Sequence, residues 1–89
     1  MFYVYLLKSE RGDLYTGYTS DLRKRLKEHN QGLNSSTKRY GKWQLVYYEA
    51  TLERSDATRR EKYLKTSQGR RFMKKRLKDF FYKQKNLAD

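Results

Sequence analysis

Leu14–Asn30 reads LYTGYTSDLRKRLKEHN, and this stretch decides the fold. Its first six residues, LYTGYT, mix aromatic and β-branched side chains over too short a span for a helix, which predicts a strand over 14–19. Gly17 within that strand gives up side-chain packing, as happens at a bend, a bulge or a close backbone approach. Ser20 then reads as a helix N-cap with Asp21 in the first turn, so a helix runs from Asp21 to about Asn30 and stops at Gly32. At about 100° per residue, Leu22 and Leu26 lie ~40° apart and define the buried stripe. His29 falls near ~340° and Arg25 near ~300°, both along the edge of that stripe, while Arg23, Lys24, Lys27 and Glu28 face solvent. A guanidinium at such a border needs a carboxylate, a phosphate or water, or else packs its stem and points its head outward.

Before this stretch, residues 2–8 (FYVYLLK) predict a strand, with Tyr3 and Tyr5 on one face and Val4 and Leu6 on the other. The polar SERGD segment, 9–13, makes the pair a β-hairpin. After it, residues 31–43 (QGLNSSTKRYGKW) form a polar loop carrying Lys38, Arg39 and Tyr40, and 44–50 (QLVYYEA) predicts a third strand. Ser55 or Asp56 caps a helix through Thr66, and Gly69 punctuates before a last helix over 70–82. Met73, Leu77, Phe80 and Phe81 lie on one side of that last helix. The order is ββαβαα, a small α+β fold in which helices cover a sheet. It makes one domain over 1–82, with 83–89 expected to fray.

The chain has 89 residues with 22 Lys+Arg against 10 Asp+Glu, a formal net charge of +12. This length fits one domain with one modest core. With no Cys and a single His, a disulfide framework, a thiolate metal site and a multi-histidine zinc site are excluded. No apolar run nears the ~20 residues of a membrane span, and the opening MFYVYLLKS lacks the form of a secretory leader. The expectation is a soluble, cytoplasmic protein that can associate with the nucleoid, a monomer rather than an oligomer, with no membrane contact. An aromatic content of 16% with nine Tyr and no Pro sets the chain apart from a disordered basic tail. The charge selects a polyanion, nucleic acid first.

Chemistry is carried by the few charged residues that fall on apolar stripes. In the second predicted helix, Glu61 lies ~40° from Ala57, between it and Leu64. Such a carboxylate can pair with an arginine or hold a divalent cation. One Glu, one Arg, one His and one or two Tyr can together build a phosphodiester-cleaving site. The Glu would bind Mg²⁺ or Mn²⁺, the Arg would stabilise charge on the phosphoryl oxygens, and a Tyr would take a proton from the nucleophile.

These residues, Tyr3-Val4-Tyr5, Tyr15-Thr16-Gly17, Arg25, His29 and Glu61, resemble the GIY-YIG nuclease superfamily. The intervals fit it: ten residues from Tyr5 to Tyr15, ten on to Arg25 and four on to His29. The stretch LYTGYTSDLRKRLKEHN looks especially like its small single-domain branch, related to the nuclease domain of the excision-repair incision subunit. The resemblance spans Met1 to about Leu77. It implies a three-stranded antiparallel sheet flanked by helices, and DNA cleavage with one divalent ion. By position, Glu61 is the metal ligand, Arg25 the phosphate contact and Tyr5 the general base. Tyr15 orients the water or shares that role, His29 contacts phosphate or a tyrosine hydroxyl, and Gly17 leaves room for a backbone approach.

Three positions depart from the usual tripeptides: Tyr3 and Val4 in the first, Thr16 in the second. The asparagine that many members carry after the glutamate has no counterpart at a matching position, Gln68 and Asn86 falling elsewhere. With no room for a separate recognition domain, the implied enzyme is a DNA endonuclease or nickase of low sequence specificity, acting on DNA rather than RNA. Two other readings stay open. One is a weakly catalytic or non-catalytic nucleic-acid-binding module using Arg23, Lys24, Lys38, Arg39 and Tyr40. The other is a ribosome-associated structural protein.

Overall fold

A run as apolar as FYVYLL suits a strand covered on both faces, and in the computed structural model it is the middle strand of the sheet. The structure describes residues 1–32 and 41–88, with side chains to residue 85. In chain order the elements are β1 (Phe2–Ser9), β2 (Leu14–Thr19), α1 (Leu22–Asn30), β3 (Trp43–Thr51), α2 (Arg54–Leu64), α3 (Ser67–Arg76) and α4 (Lys78–Ala88). The sheet is antiparallel with order β2-β1-β3, the α+β class and three-stranded sheet expected from the sequence. Lys38, Arg39 and Tyr40 of the predicted loop lie outside the described residues. Among the described residues no helix is long and apolar enough to cross a membrane.

Period-two alternation divides β1 between two cores. Val4 and Leu6 pack with Ala57, Leu64 and Met73 under α2 and α3. Tyr5 and Leu7 pack with Trp43, Tyr15, Leu22 and Leu26 under α1. The β1–β3 register shifts between Leu6 and Leu7, where Val46 is the additional residue of β3. The shift is therefore not at Gly17, which pairs regularly with Tyr5.

Several predicted boundaries move by a residue or two for identifiable reasons. Asp21, not Ser20, caps α1: its Oδ1 accepts from the Lys24 N–H at 3.1 Å. The helix ends as predicted, with Gly32 at φ +74°, a left-handed conformation that glycine adopts without strain. Asn30 then grips both polar groups of the Trp43 backbone. Its Oδ1 accepts from the Trp43 N–H at 2.6 Å, and its Nδ2 donates to the Trp43 carbonyl at 3.2 Å. This pins the end of α1 to the start of β3. Extended Glu53 precedes α2 without a side-chain cap bond, and Asp56, a predicted cap, instead supplies the negative charge of the first turn.

The last helix of the sequence reading is two helices. Thr66 caps α3, its hydroxyl accepting from the Gly69 N–H at 3.1 Å, so Gly69 lies in the first turn of this helix rather than separating it from the one before. The chain breaks at Leu77, which leaves helical geometry while still packing on the α2/α3 core. Asp79 then stabilises the first turn of α4. This helix continues to Ala88, beyond the expected end at 82.

Gly69 is the tight point between α2 and α3: a Cβ there would run into the Tyr63 carbonyl oxygen and the Leu64 Cα. Backbone cannot yield as a side chain can, so Gly69→Ala is expected to cost about 1–3 kcal/mol of stability by overpacking. Urea unfolding checks this, and an unchanged midpoint would show that the two helices do not depend on that contact.

Candidate functional site

Tyr5 stands at the centre of β1, directly opposite Gly17 of β2. Because Gly17 has no side chain, the Tyr5 ring can lie across β2. A Cβ at position 17 would come within 2.5 Å of the Tyr5 hydroxyl oxygen and 3.0 Å of the Tyr15 ring. The glycine thus makes room for a phenol of the protein itself, rather than for the backbone approach expected from the sequence. In its last turn, α1 places His29 over this ring, and Tyr5 Oη and His29 Nε2 are hydrogen-bonded at 2.9 Å. Tyr15 closes the cluster, its ring centroid 4.9 Å from that of His29 in an edge-on arrangement. Buried Trp43 packs edge-on against Tyr15, with ring centroids 6.2 Å apart.

Burial governs the protonation of the central pair, with Tyr5 2% and His29 1% exposed. Loss of water pushes the Tyr5 phenol well above its ordinary range. Tyr15, Glu61 and Glu28 add to the shift, and Arg25 opposes it. Burial also lowers the His29 pKa, as does the nearby Arg25 guanidinium, with Glu28 acting in the other direction. Both groups are therefore neutral near neutral pH.

Arg25 lies one turn before His29 on the same side of α1. Its Nε is 3.5 Å from Glu28 Oε1, and 38% of its side chain is exposed, so it faces solvent while its charge reaches Tyr5 and His29. Glu61 arrives from the opposite layer, on the face of α2 that carries Ala57 and Leu64. It makes no ion pair with Arg25. Among the described residues its partner is Lys65, whose Nζ is 3.4 Å from Oε2, and 18% of the Glu61 side chain is exposed. Its negative charge also acts on the Tyr5 phenol. Tyr5, Tyr15 and His29 are thus in contact; the Arg25 charge reaches Tyr5 and His29, and the Glu61 charge reaches Tyr5 from the other layer.

The predicted nucleic-acid contacts are more scattered. Arg23 and Lys24 are exposed on the first turn of α1, and Arg23 lines a separate groove with Tyr3 and Tyr48. Among the described residues no group of three or more His, Cys, Asp or Glu forms that could hold a metal. Of the two carboxylates whose charges reach Tyr5, Glu28 is paired with Arg25, and Glu61 is the one that could hold a divalent ion. That hard oxygen donor, partly open to water and with one long ion pair, suits Mg²⁺ or Mn²⁺ completed by water and phosphate oxygens.

Two groups escaped the sequence reading. Lys65 is the neighbour of Glu61 at i,i+4, a spacing that could have shown it. The other is a brace between β3 and α2: Arg60 donates to Glu49 through Nε at 2.7 Å, and the Tyr47 hydroxyl donates to Glu49 at 2.8 Å. The Arg60 guanidinium also lies 4.8 Å from the Phe72 ring centroid. Glu49 raises the Arg60 pKa further, and burial, then Glu49, raises that of Tyr47. The pairing crosses from strand to helix, where no sequence period connects its members. It holds α2 beside β3 one residue before Glu61.

The family model described as the GIY-YIG catalytic domain matches residues 1–78. A UPF0213 protein of Clostridium perfringens is 44% identical over 66 residues, covering 73% of this chain and 71% of the relative. One from Staphylococcus saprophyticus is 43% identical over 65 residues, covering 72% and 79%. The solution NMR structure of a UPF0213 protein from Bacillus halodurans superposes with a TM-score of 0.51 at 32% identity, over 82% of each chain.

The chain has a single histidine, so its ring C2 proton can be followed alone by NMR. The expected midpoint lies below the unperturbed value of about 6.5. Because the folded-state pKa is the lower one, the unfolded chain binds the extra proton first. Stability is therefore full above about pH 6.5 and falls as the pH drops below it. A midpoint at or above 6.5 would contradict the buried, neutral imidazole.

Proposed function

The chain belongs to the GIY-YIG family, and from that premise we propose that it is a divalent-metal-dependent endonuclease or nickase that hydrolyses DNA phosphodiester bonds with little sequence preference. The observation that carries the reading is the buried Tyr5–His29 pair with Arg25 and Glu61 acting on it from opposite sides.

In this reading, an unprotonated His29 Nε2 accepts the Tyr5 hydroxyl proton. A phenol whose pKa is pushed up does not wait as phenolate, so Tyr5 acts as a base only as its own proton leaves. The attacking water gives a proton to Tyr5 Oη while Tyr5 Oη passes its proton to His29. The water oxygen bonds to phosphorus, and the bond from phosphorus to the leaving sugar oxygen breaks, the leaving oxygen taking a proton from solvent. Arg25, half open to solvent, binds the phosphoryl oxygens and stabilises the charge that builds there. Tyr15 packs on His29 and fixes the ring that receives the proton. Glu61 would hold the ion, which supplies neutralising charge at the scissile phosphate when bound.

The basic surface supports capture of the polyanion without base readout, since phosphate contacts carry affinity but no sequence information. Its cations include Arg23 and Lys24 on α1. Roles for Lys38, Arg39 and Tyr40 rest on the sequence alone.

Supercoiled plasmid incubated with Mg²⁺ or Mn²⁺ is expected to be nicked by the wild-type chain. Glu61→Gln should lower the rate by at least about 10²-fold, the scale of losing a principal source of transition-state charge stabilisation. Removing a negative charge leaves DNA binding equal or tighter. Equal nicking by both proteins would overturn the assignment. Binding without metal-dependent nicking in the wild type would favour the non-catalytic module.

A further inference from the structure

On the sheet face opposite the one that carries the Tyr5–His29 pair, between the hairpin and the α2–α3–α4 layer, lies a cleft of about 610 Å³. This is within the range of clefts that enclose small organic ligands, about 300–1,000 Å³. Its floor is apolar, made by buried Leu64 and Met73, with half-buried Phe81 as an aromatic wall. Its rim carries three exposed cations, Lys65, Arg70 and Lys74. Arg70 and Lys74 are at i,i+4 on α3, one turn apart on the same side. The lining also includes one carboxylate, Asp13, which accepts from the Ser9 hydroxyl at 3.3 Å within the hairpin turn.

This combination suits a particular polyanion. A paired duplex offers phosphates to a basic rim but has nothing to place on an apolar, aromatic floor, because its bases are stacked inside. An unstacked nucleotide has both parts: a flat base for the floor and phosphates for the rim. Two of its residues connect it to the chemistry on the other face. Tyr15, which lines it, packs on His29, and Lys65 on its rim is the ion-pair partner of Glu61.

We infer that this cleft receives an unpaired DNA nucleotide next to the scissile phosphate, with its base on Leu64, Met73 and Phe81 and its phosphates on Lys65, Arg70 and Lys74. The inference rests on the proposed nuclease reading and narrows its substrate to DNA with a single-stranded, displaced or flipped nucleotide at the cut. The hydrophobic effect and stacking hold the base, so the cleft accepts any base and the site stays indifferent to sequence.

The test is a binding measurement in EDTA, where no cutting occurs, so it stands apart from whether the chain cleaves. Fluorescence anisotropy compares a short oligodeoxythymidine with a chain of equal length and phosphate count made of abasic sites. The wild type is expected to bind the base-bearing strand at least about tenfold more tightly, the scale of one stacked base. Phe81→Leu, which keeps apolar volume but removes the aromatic face, should shrink that ratio. Arg70→Gln combined with Lys74→Gln, both exposed and outside the core, should weaken both strands alike and flatten the salt dependence. Equal wild-type affinity for the two strands would overturn the inference, as would an undiminished ratio in Phe81→Leu. An RNA strand that binds more tightly than the DNA strand would overturn the assignment to DNA.

Discussion

A phenol hydroxyl removed from water must find a partner, and the rest of the site follows from how Tyr5 finds one. Leaving such a group unpaired costs about 1–3 kcal/mol, so the Tyr5–His29 hydrogen bond constrains the packing of α1 on the sheet. It requires a residue without a side chain opposite Tyr5, met by Gly17. It requires the last turn of α1 to lie over β1 and β2, which the capped start at Asp21 and the Asn30 grip on Trp43 secure at either end. With His29 so placed, Arg25 one turn earlier is held beside the pair and open to solvent. One buried contact thereby joins packing, protonation and the presentation of a cation.

The other half of the site depends on the opposite layer. Glu61 is carried by α2, whose place is set by Ala57 and Leu64 in the core and by the Tyr47–Glu49–Arg60 brace to β3. The Glu61 carboxylate pairs with Lys65, one turn on in the same helix, and not with Arg25. Two helices on opposite faces of a small sheet thus present opposite charges to one phenol. The net charge of +12 is in large part a solvated envelope suited to a polyanion. The residues bearing on Tyr5 are the few whose charges the apolar stripes of α1 and α2 hold in place.

Much of this was legible from periodicity. The alternation of FYVYLL separated Tyr5 from Val4, and the α1 stripe set Arg25 at a partly exposed border; His29, expected at the edge, is instead the buried residue of α1, with Leu22 and Leu26 half-buried. The Ala57–Leu64 stripe likewise located Glu61. Contacts between elements were not legible. Nothing in the spacing shows Arg60 reaching Glu49, or Asn30 holding the Trp43 backbone, because these pairs depend on how layers stack. The break at Leu77 was also hidden: no Pro or Gly marks it, and Leu77 keeps its core contact on either side of the turn. At Gly17 the alternatives were a bend, a bulge or a close approach, and only the Tyr5–Gly17 register showed that a ring, not a backbone, fills the space.

The central claim is that His29 must be neutral to take the proton that Tyr5 releases. Single-turnover DNA cleavage measured across pH tests it most directly, comparing the wild type with His29→Gln, which retains a polar side chain but cannot titrate. The account predicts a wild-type rate that rises with pH through a midpoint below about 6.5 and then levels off, and a variant that is slower and lacks that limb. An identical acid limb in His29→Gln, or a wild-type rate unaffected by pH through that range, would contradict it.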